Sequence, residues 1–342
     1  MGNIYTLADN GTKKRGQNHV IVNGKGSDLN KKEALKGRAK RKIISRAMMI
    51  NLVSIAQENG ESELEKSYWN TYYCQEEIIT ADGRLYGKYC KNRFCTLCNS
   101  IRKAEIINRY YPIMKDWEDP QFLTLTVKAC KASQLKGYIN SMLKTFQKIT
   151  EKYRKRFQRG KGSKLVGVKS LESNFNPLKK TYNPHFHIIV QEKWMAEVIV
   201  KEWLARSKKG YAAPWCQKII PVNNLETSLI EIIKYGSKIF TEPDLKKRAK
   251  ETETAHIYLK ALDTILKAMK GKRIFDRFGF NAPKIIAKEN FPAKLLSNFT
   301  EWEYCNKSFD WINSATGELL TDYKVSSHLN SILENNINIL LN

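Results

Sequence analysis

Histidine is scarce in this chain, with five among 342 residues, and acid is scarce relative to base: 34 Asp and Glu stand against 59 Lys and Arg, a formal net charge of +25. So large a deficit of negative charge points to a polyanionic partner. No run approaches 18 consecutive apolar residues, so no membrane-spanning helix is expected. The opening residues, Met-Gly-Asn-Ile-Tyr-Thr-Leu-Ala-Asp-Asn, lack the basic and apolar regions of a signal peptide. Seven cysteines is an odd number, and four of them crowd into a short segment that holds no histidine, which argues for metal rather than disulfides and for a cytoplasmic protein. Internal repeats and low-complexity tracts are absent.

What is present is unevenly spread. The first 280 residues carry 54 basic and 27 acidic side chains, while residues 281–342 carry five Lys and seven acids, which moves the expected nucleic-acid surface away from the C-terminal segment. Sixteen Tyr, 13 Phe and 7 Trp offer faces on which bases can stack. The length allows one large or two modest domains.

Two of the five histidines stand one residue apart in Tyr182-Asn-Pro-His-Phe-His-Ile-Ile-Val190. A run ending in Ile-Ile-Val reads as a buried strand, and alternate strand residues share a face, so His185 and His187 converge at metal-ligand distance. Imidazole joined by carboxylate or water suits a divalent ion such as Mg²⁺ or Mn²⁺. Val166 to Glu172 reads as a second strand and Asn174 to Tyr182 as the loop between the two. If they form a hairpin, Glu172 can supply an oxygen ligand, and a slip of one residue would turn it away.

Cys74, Cys90, Cys95 and Cys98 follow the pattern C-x15-C-x4-C-x2-C. Asp82-Gly83 can turn a hairpin that returns Cys74 toward Cys90, and four thiolates close a tetrahedral structural Zn²⁺ site. Arg102 and Lys103 follow on a helix. A long helix over 135–159 sets Leu135, Ile139, Met142, Phe146 and Ile149 on one face and Lys144, Lys148, Lys152, Lys155, Arg156 and Arg159 on the other, a candidate surface for tracking phosphates. A helix capped at Asn223 or Asn224 runs over 225–238, where Glu231, Tyr235 and Lys238 share one face.

These residues resemble a known family. The cysteine cluster ending in Cys95-Thr-Leu-Cys98, then Phe122-Leu-Thr-Leu-Thr126, Asn183-Pro-His-Phe-His187 and Glu231-Ile-Ile-Lys-Tyr-Gly-Ser-Lys238 occur in the order found in the "protein rep" family of plasmid rolling-circle replication initiators, within the HUH endonucleases. The resemblance covers roughly residues 70 to 280; Thr96 stands where the family usually has proline. It implies an α+β fold, with a central antiparallel sheet of HUH-endonuclease type, flanking helices and a small four-cysteine zinc-binding segment. The domains expected are a basic arm and helices (1–60), the zinc-binding segment and helix (61–112), a nicking and strand-transfer domain (113–280) and a C-terminal segment without assigned role (281–342). It further implies origin DNA, single-stranded or hairpin, as substrate, Tyr235 as nucleophile, Glu231 as base for the terminating cut, Lys238 beside a phosphate oxygen, and a host helicase and polymerase as partners. Two other readings stay open: an HUH transposase or relaxase, and a non-catalytic sheet-based nucleic-acid binder with Phe122-Leu-Thr-Leu-Thr126 as stacking strand.

The basic face of the long helix makes a direct prediction. Charge reversal at Lys148, Lys152 and Lys155 should weaken DNA binding alike for all sequences and flatten its salt dependence, measured as the slope of log affinity against log salt. A loss confined to one sequence would contradict it.

Overall fold

The computed structural model describes residues 32–81, 83–92, 95–208, 210–233, 252–281, 299–327 and 329–330. Among these residues the fold is α+β with antiparallel sheets, as expected, and no helix is long and apolar enough to cross a membrane. They fall into two compact units, one drawn from 32–102 and 299–330, the other from 103–233 and 256–281.

The first unit opens with helix α1 (Lys32–Glu58), followed by α2 (Ser62–Tyr72). Gly60 ends α1: its φ of +66° is left-handed backbone open to glycine, and it lets Gly60 N–H reach Gln57 O at 3.0 Å and Glu61 N–H reach Ala56 O at 2.8 Å, the paired bonds of a Schellman cap. The hairpin β1 (Glu77–Ala81) and β2 (Arg84–Gly87) follows, and Gly83 at φ +68° stands in its turn. Strands β8 (Thr300–Cys305) and β9 (Asp310–Asn313) complete an antiparallel sheet of order β2-β1-β8-β9. Leu35 and Ala39 of α1 pack with Ile78, Leu85, Tyr304 and Trp311 in its core.

A buried charged network ties α1 to this sheet. Lys42 is wholly buried, and its Nζ donates to the carbonyls of Cys74 at 2.6 Å and Tyr72 at 3.2 Å and to Glu76 Oε2 at 2.9 Å. Burial pulls the Lys42 ammonium below its ordinary pKa against the raising effect of Glu76. Arg46 grips the same carboxylate at 2.8 and 2.7 Å and donates to Tyr72 Oη at 2.6 Å. Removing one partner of such a set leaves an unpaired charge inside.

In the second unit, after α3 (Thr96–Met114), strands β3 (Gln121–Thr126), β4 (Gly167–Asn176), β5 (Thr181–Val190), β6 (Lys218–Pro221) and β7 (Phe275–Phe278) form an antiparallel sheet of order β6-β3-β5-β4-β7, with the histidine strand at its centre. Helices α4 (Ala132–Gln158) and α5 (Lys193–Arg206) cover one face: Phe186 lies 5.5 Å from Phe146 of α4 and 5.9 Å from Trp203 of α5, ring centre to ring centre. Leu125, Phe186 and Leu171 are cross-strand neighbours on that face and wholly buried. Helix α6 (Leu225–Ile233) starts at Asn224, whose Oδ1 accepts from Thr227 N–H at 2.9 Å, and lies against β4 and β5; α7 (Thr252–Met269) precedes β7.

Two expectations change. The stretch 174–182 is mostly strand rather than loop, since β4 and β5 stay paired out to Asn176 opposite Thr181. The segment around Trp215 to Val222, which reads in sequence as hairpin-like, makes no hairpin of its own but sends β6 to pair with β3. Tyr235, Lys238, residues 1–31 with the basic arm, and residues 244–251, the start of a stretch over 244–271 that reads in sequence as a basic helix, lie outside the described residues.

Gly279 shows how tightly the sheet edge is fitted. Its φ is +79°, and a Cβ there would lie 1.9 Å from the Leu165 carbonyl oxygen. Gly279→Ala should therefore lower stability by about 2–4 kcal/mol, read from the urea midpoint; an unchanged midpoint would contradict this packing.

Candidate metal centres and active site

The hairpin of β1 and β2 returns the chain so that Cys74 meets Cys90, while Cys95 and Cys98 stand at the start of α3. The four sulfurs all lie within 4.8 Å of one another, and Cys98 Sγ is 3.6 Å from both Cys74 Sγ and Cys90 Sγ. A tetrahedral zinc with bonds near 2.3 Å sets its sulfurs about 3.8 Å apart, so the cluster needs little adjustment to hold one. Backbone N–H groups already point at sulfur: Cys90 N to Cys74 Sγ and Asn92 N to Cys90 Sγ at 3.4 Å, Cys98 N to Cys95 Sγ at 3.5 Å. Hydrogen bonds with Cys90, Cys95 and Cys98, and then burial, hold the Cys74 thiol well above its ordinary pKa. Burial works upward on Cys95 as well, but bonds from the other three thiols outweigh it and bring Cys95 well below. A divalent ion entering here must displace thiol protons, which makes its binding weaken as pH falls. Arg102 braces this turn, donating to Asn99 Oδ1 at 2.8 Å and Lys91 O at 3.2 Å. Lys103 is half-buried, in the second unit.

In the second unit the hairpin register places Glu172 directly opposite His185, and Ser170 opposite His187. Glu172, His185 and His187 therefore share the sheet face that Phe186 does not, and their ligand atoms lie within 4.8 Å of one another. The imidazole ring centres are 4.9 Å apart, and Phe122 meets the His187 ring edge-on at 5.2 Å. His185 Nδ1 lies 3.0 Å from the Asn183 carbonyl, which can only accept, so Nδ1 carries a proton and Nε2 faces Glu172 Oε2 at 3.6 Å. A lone pair on Nε2 and a carboxylate oxygen repel unless a proton or cation lies between them. Glu172 Oε1 is buried with no hydrogen-bond partner, an arrangement that is costly for a carboxylate left without a cation. The donor set of two imidazoles and one carboxylate thus fits a divalent metal and leaves coordination positions for water or substrate.

Of the other candidate residues, Glu231 is half-buried on α6, beside the inward-facing Leu229 and Ile232. Lys144, Lys148, Lys155, Arg156 and Arg159 are exposed on α4. Lys152 instead forms an ion pair with Glu202 of α5, a balancing acid that the helix's own sequence does not contain. Because α4 packs on the Phe186 side, its basic stripe lies across the sheet from the triad. Sequence reasoning missed Lys42, whose ammonium holds the Cys74 carbonyl, and the Asn183 carbonyl that orients His185. Burial of a lysine leaves no sequence signal, whereas Asn183 stood next to the motif.

The model of the family described as "Replication protein" matches residues 84–281, more than half the chain, and the chain belongs to that family. Its match takes in Glu172, His185, His187 and three of the four clustered cysteines, but not Cys74. A "Protein rep" of Streptococcus pneumoniae serotype 2 is 33% identical over 119 residues, covering 32% of this chain and 35% of that protein. One from a Bacillus species is 30% identical over 137 residues, 37% of this chain and 43% of the relative. One from Staphylococcus aureus is 31% identical over 166 residues, 44% of this chain and 69% of the relative. The match thus spans less than half the length of the first two relatives. No solved structure matches.

Two metal predictions follow from the geometry. Purified protein should carry zinc by elemental analysis, and Cys95→Ser should release it and lower the melting temperature; zinc-free wild-type protein would refute the cluster's assignment. His185→Ala should weaken Mn²⁺ binding at the triad by roughly 10-fold or more in calorimetry, with zinc content unchanged. Equal Mn²⁺ affinity in variant and wild type would remove the triad as a metal site.

Proposed function

We propose that the chain initiates rolling-circle replication of a plasmid, cutting one strand at the double-strand origin and rejoining it when a round is complete. The observation that carries this reading is the Glu172, His185 and His187 triad on the sheet face opposite Phe186, together with membership of the replication-protein family. A divalent ion held by the triad, Mg²⁺ or Mn²⁺, would supply Lewis-acid polarisation of a phosphate.

The protein's own groups supply the rest. Tyr235 is the proposed nucleophile: its phenolic oxygen loses its proton to solvent and bonds to the scissile phosphorus, the bond from phosphorus to the 3′ oxygen breaks, and that oxygen takes up a proton from solvent to leave a 3′-hydroxyl. The 5′-phosphotyrosine keeps the energy of the phosphodiester, so joining needs no ATP. Glu231 is the proposed base, taking a proton from water for the terminating cut, and Lys238 the proposed partner of a phosphate oxygen. The 3′-hydroxyl would prime a host polymerase, with a host helicase opening the duplex ahead of it. The exposed cations of α4 would hold backbone phosphates away from the cutting face.

Incubation with supercoiled plasmid carrying the cognate origin and Mn²⁺ or Mg²⁺ should give nicked circles and covalent protein on DNA. Tyr235→Phe should bind the origin but form no adduct. Glu231→Ala should still nick, yet release single-stranded products longer than one plasmid unit. An adduct in the Tyr235 variant would displace the nucleophile, and normal termination in the Glu231 variant would leave that carboxylate a surface charge pairing along its helix.

A further inference from the structure

The β4–β5 hairpin outruns the sheet that carries it. β3 pairs with β5 only as far as Thr126 opposite His185, and β7 with β4 only as far as Ser170. Beyond them an isolated bridge joins Cys130 to Tyr182, while β4 and β5 continue to Asn176 opposite Thr181. At about 3.4 Å per residue, the ribbon projects roughly 14 Å past Glu172.

Its two faces differ. The back presents Phe175 and Tyr182, ring centres 5.0 Å apart, with Tyr182 buried and its hydroxyl bonded to Thr264 of α7. The front continues the face of Glu172 and His185 and presents Asn174 opposite Asn183, then Asn176 opposite Thr181. All three asparagines are exposed. Asn183 Oδ1 accepts from Thr126 Oγ1 at 2.9 Å and Asn176 Oδ1 from Lys179 N–H at 3.0 Å, whereas the Asn174 amide bonds to no protein group among the described residues. Residues 173–184 include exposed Lys179 and Lys180 and no acid.

We propose that this ribbon is a base-reading track: an unpaired DNA strand whose scissile phosphate lies at the triad runs along the front face, with Asn174 pairing to a base beside that phosphate and Lys179 and Lys180 holding phosphates farther out. The inference rests on the DNA-cutting reading above. A planar amide offers a donor and an acceptor side by side, the pattern that pairs bidentately with adenine. A free two-stranded ribbon can enter a duplex major groove, but here the back carries Tyr182, buried and bonded to Thr264 of α7, so the front is the face left for a ligand and a single strand is the one that needs only that face.

The test is selection from a pool of random single-stranded DNA 20-mers, without divalent metal, sequencing the fraction bound to wild type, to Asn174→Ala and to the Lys179→Ala/Lys180→Ala double variant. Wild type should enrich one base, adenine, at a fixed position, and Asn174→Ala should lose that preference about 10-fold. The lysine variant should keep the base pattern but lower the salt slope by about 1.4. An unchanged base pattern in Asn174→Ala overturns the track, as does a wild type with no base preference in single strands. Because no cutting is measured, an Asn174-dependent preference in a protein that fails to nick would leave the track standing and remove the nicking reading instead.

Discussion

The register of one hairpin governs the second unit. Glu172 faces His185 because β4 and β5 pair in a single frame from Gly167 to Asn176, and a shift of one residue would carry the carboxylate to the opposite face. The triad does not hold that frame. Leu125, Leu171 and Phe186 do, since a slip would move them out from under Phe146 and Trp203, and each such side chain contributes about 1.5–3 kcal/mol by burial. Three polar groups are therefore kept close together by apolar packing on the far side of the same strands.

The first unit follows another logic. Its centre is charged: Lys42 and Arg46 from α1 converge on Glu76, and Lys42 also holds the backbone at Cys74. Trp311 of β9 donates from its indole to Gln75 O at 2.8 Å, and Arg38 of α1 donates to Gln75 Oε1 at 2.6 Å. Gln75 itself has a φ of +57°, backbone that a non-glycine residue keeps only when its surroundings impose it. Cys74, the cluster cysteine that falls outside the family match, is thus fixed by segments on both sides of that match, to which the sequence lent no part in the metal site.

Much of this was legible beforehand, for reasons that differ by residue. The shared face of His185 and His187 follows from strand parity alone, and the sulfur cluster from spacing. Glu172 depended on a register that only pairing reveals. The outer half of the hairpin was hidden because Asn174, Asn176 and Asn183 are residues that usually mark turns, and their strand conformation comes from cross-strand pairing rather than local preference. Lys42 counted as one more surface cation, and Lys152 as a phosphate contact, because partners distant in sequence decide both. The basic stripe of α4 was correctly placed on a helix, but its side of the sheet could not be read.

Pro184 sits next to His185 in the middle strand, where proline is ordinarily excluded. Tyr182 exchanges both backbone bonds with Cys130, so the even-numbered residues of β5 turn their amides toward the β3 side, and Pro184 turns its missing N–H into the interval between Thr126 and Cys130. The ladder has no bond to lose there and no donor to offer. A chain lying alongside at that point could donate to the Pro184 carbonyl but could not receive a bond in return, so the interval between Thr126 and Cys130 cannot close into a regular ladder whatever side chains surround it.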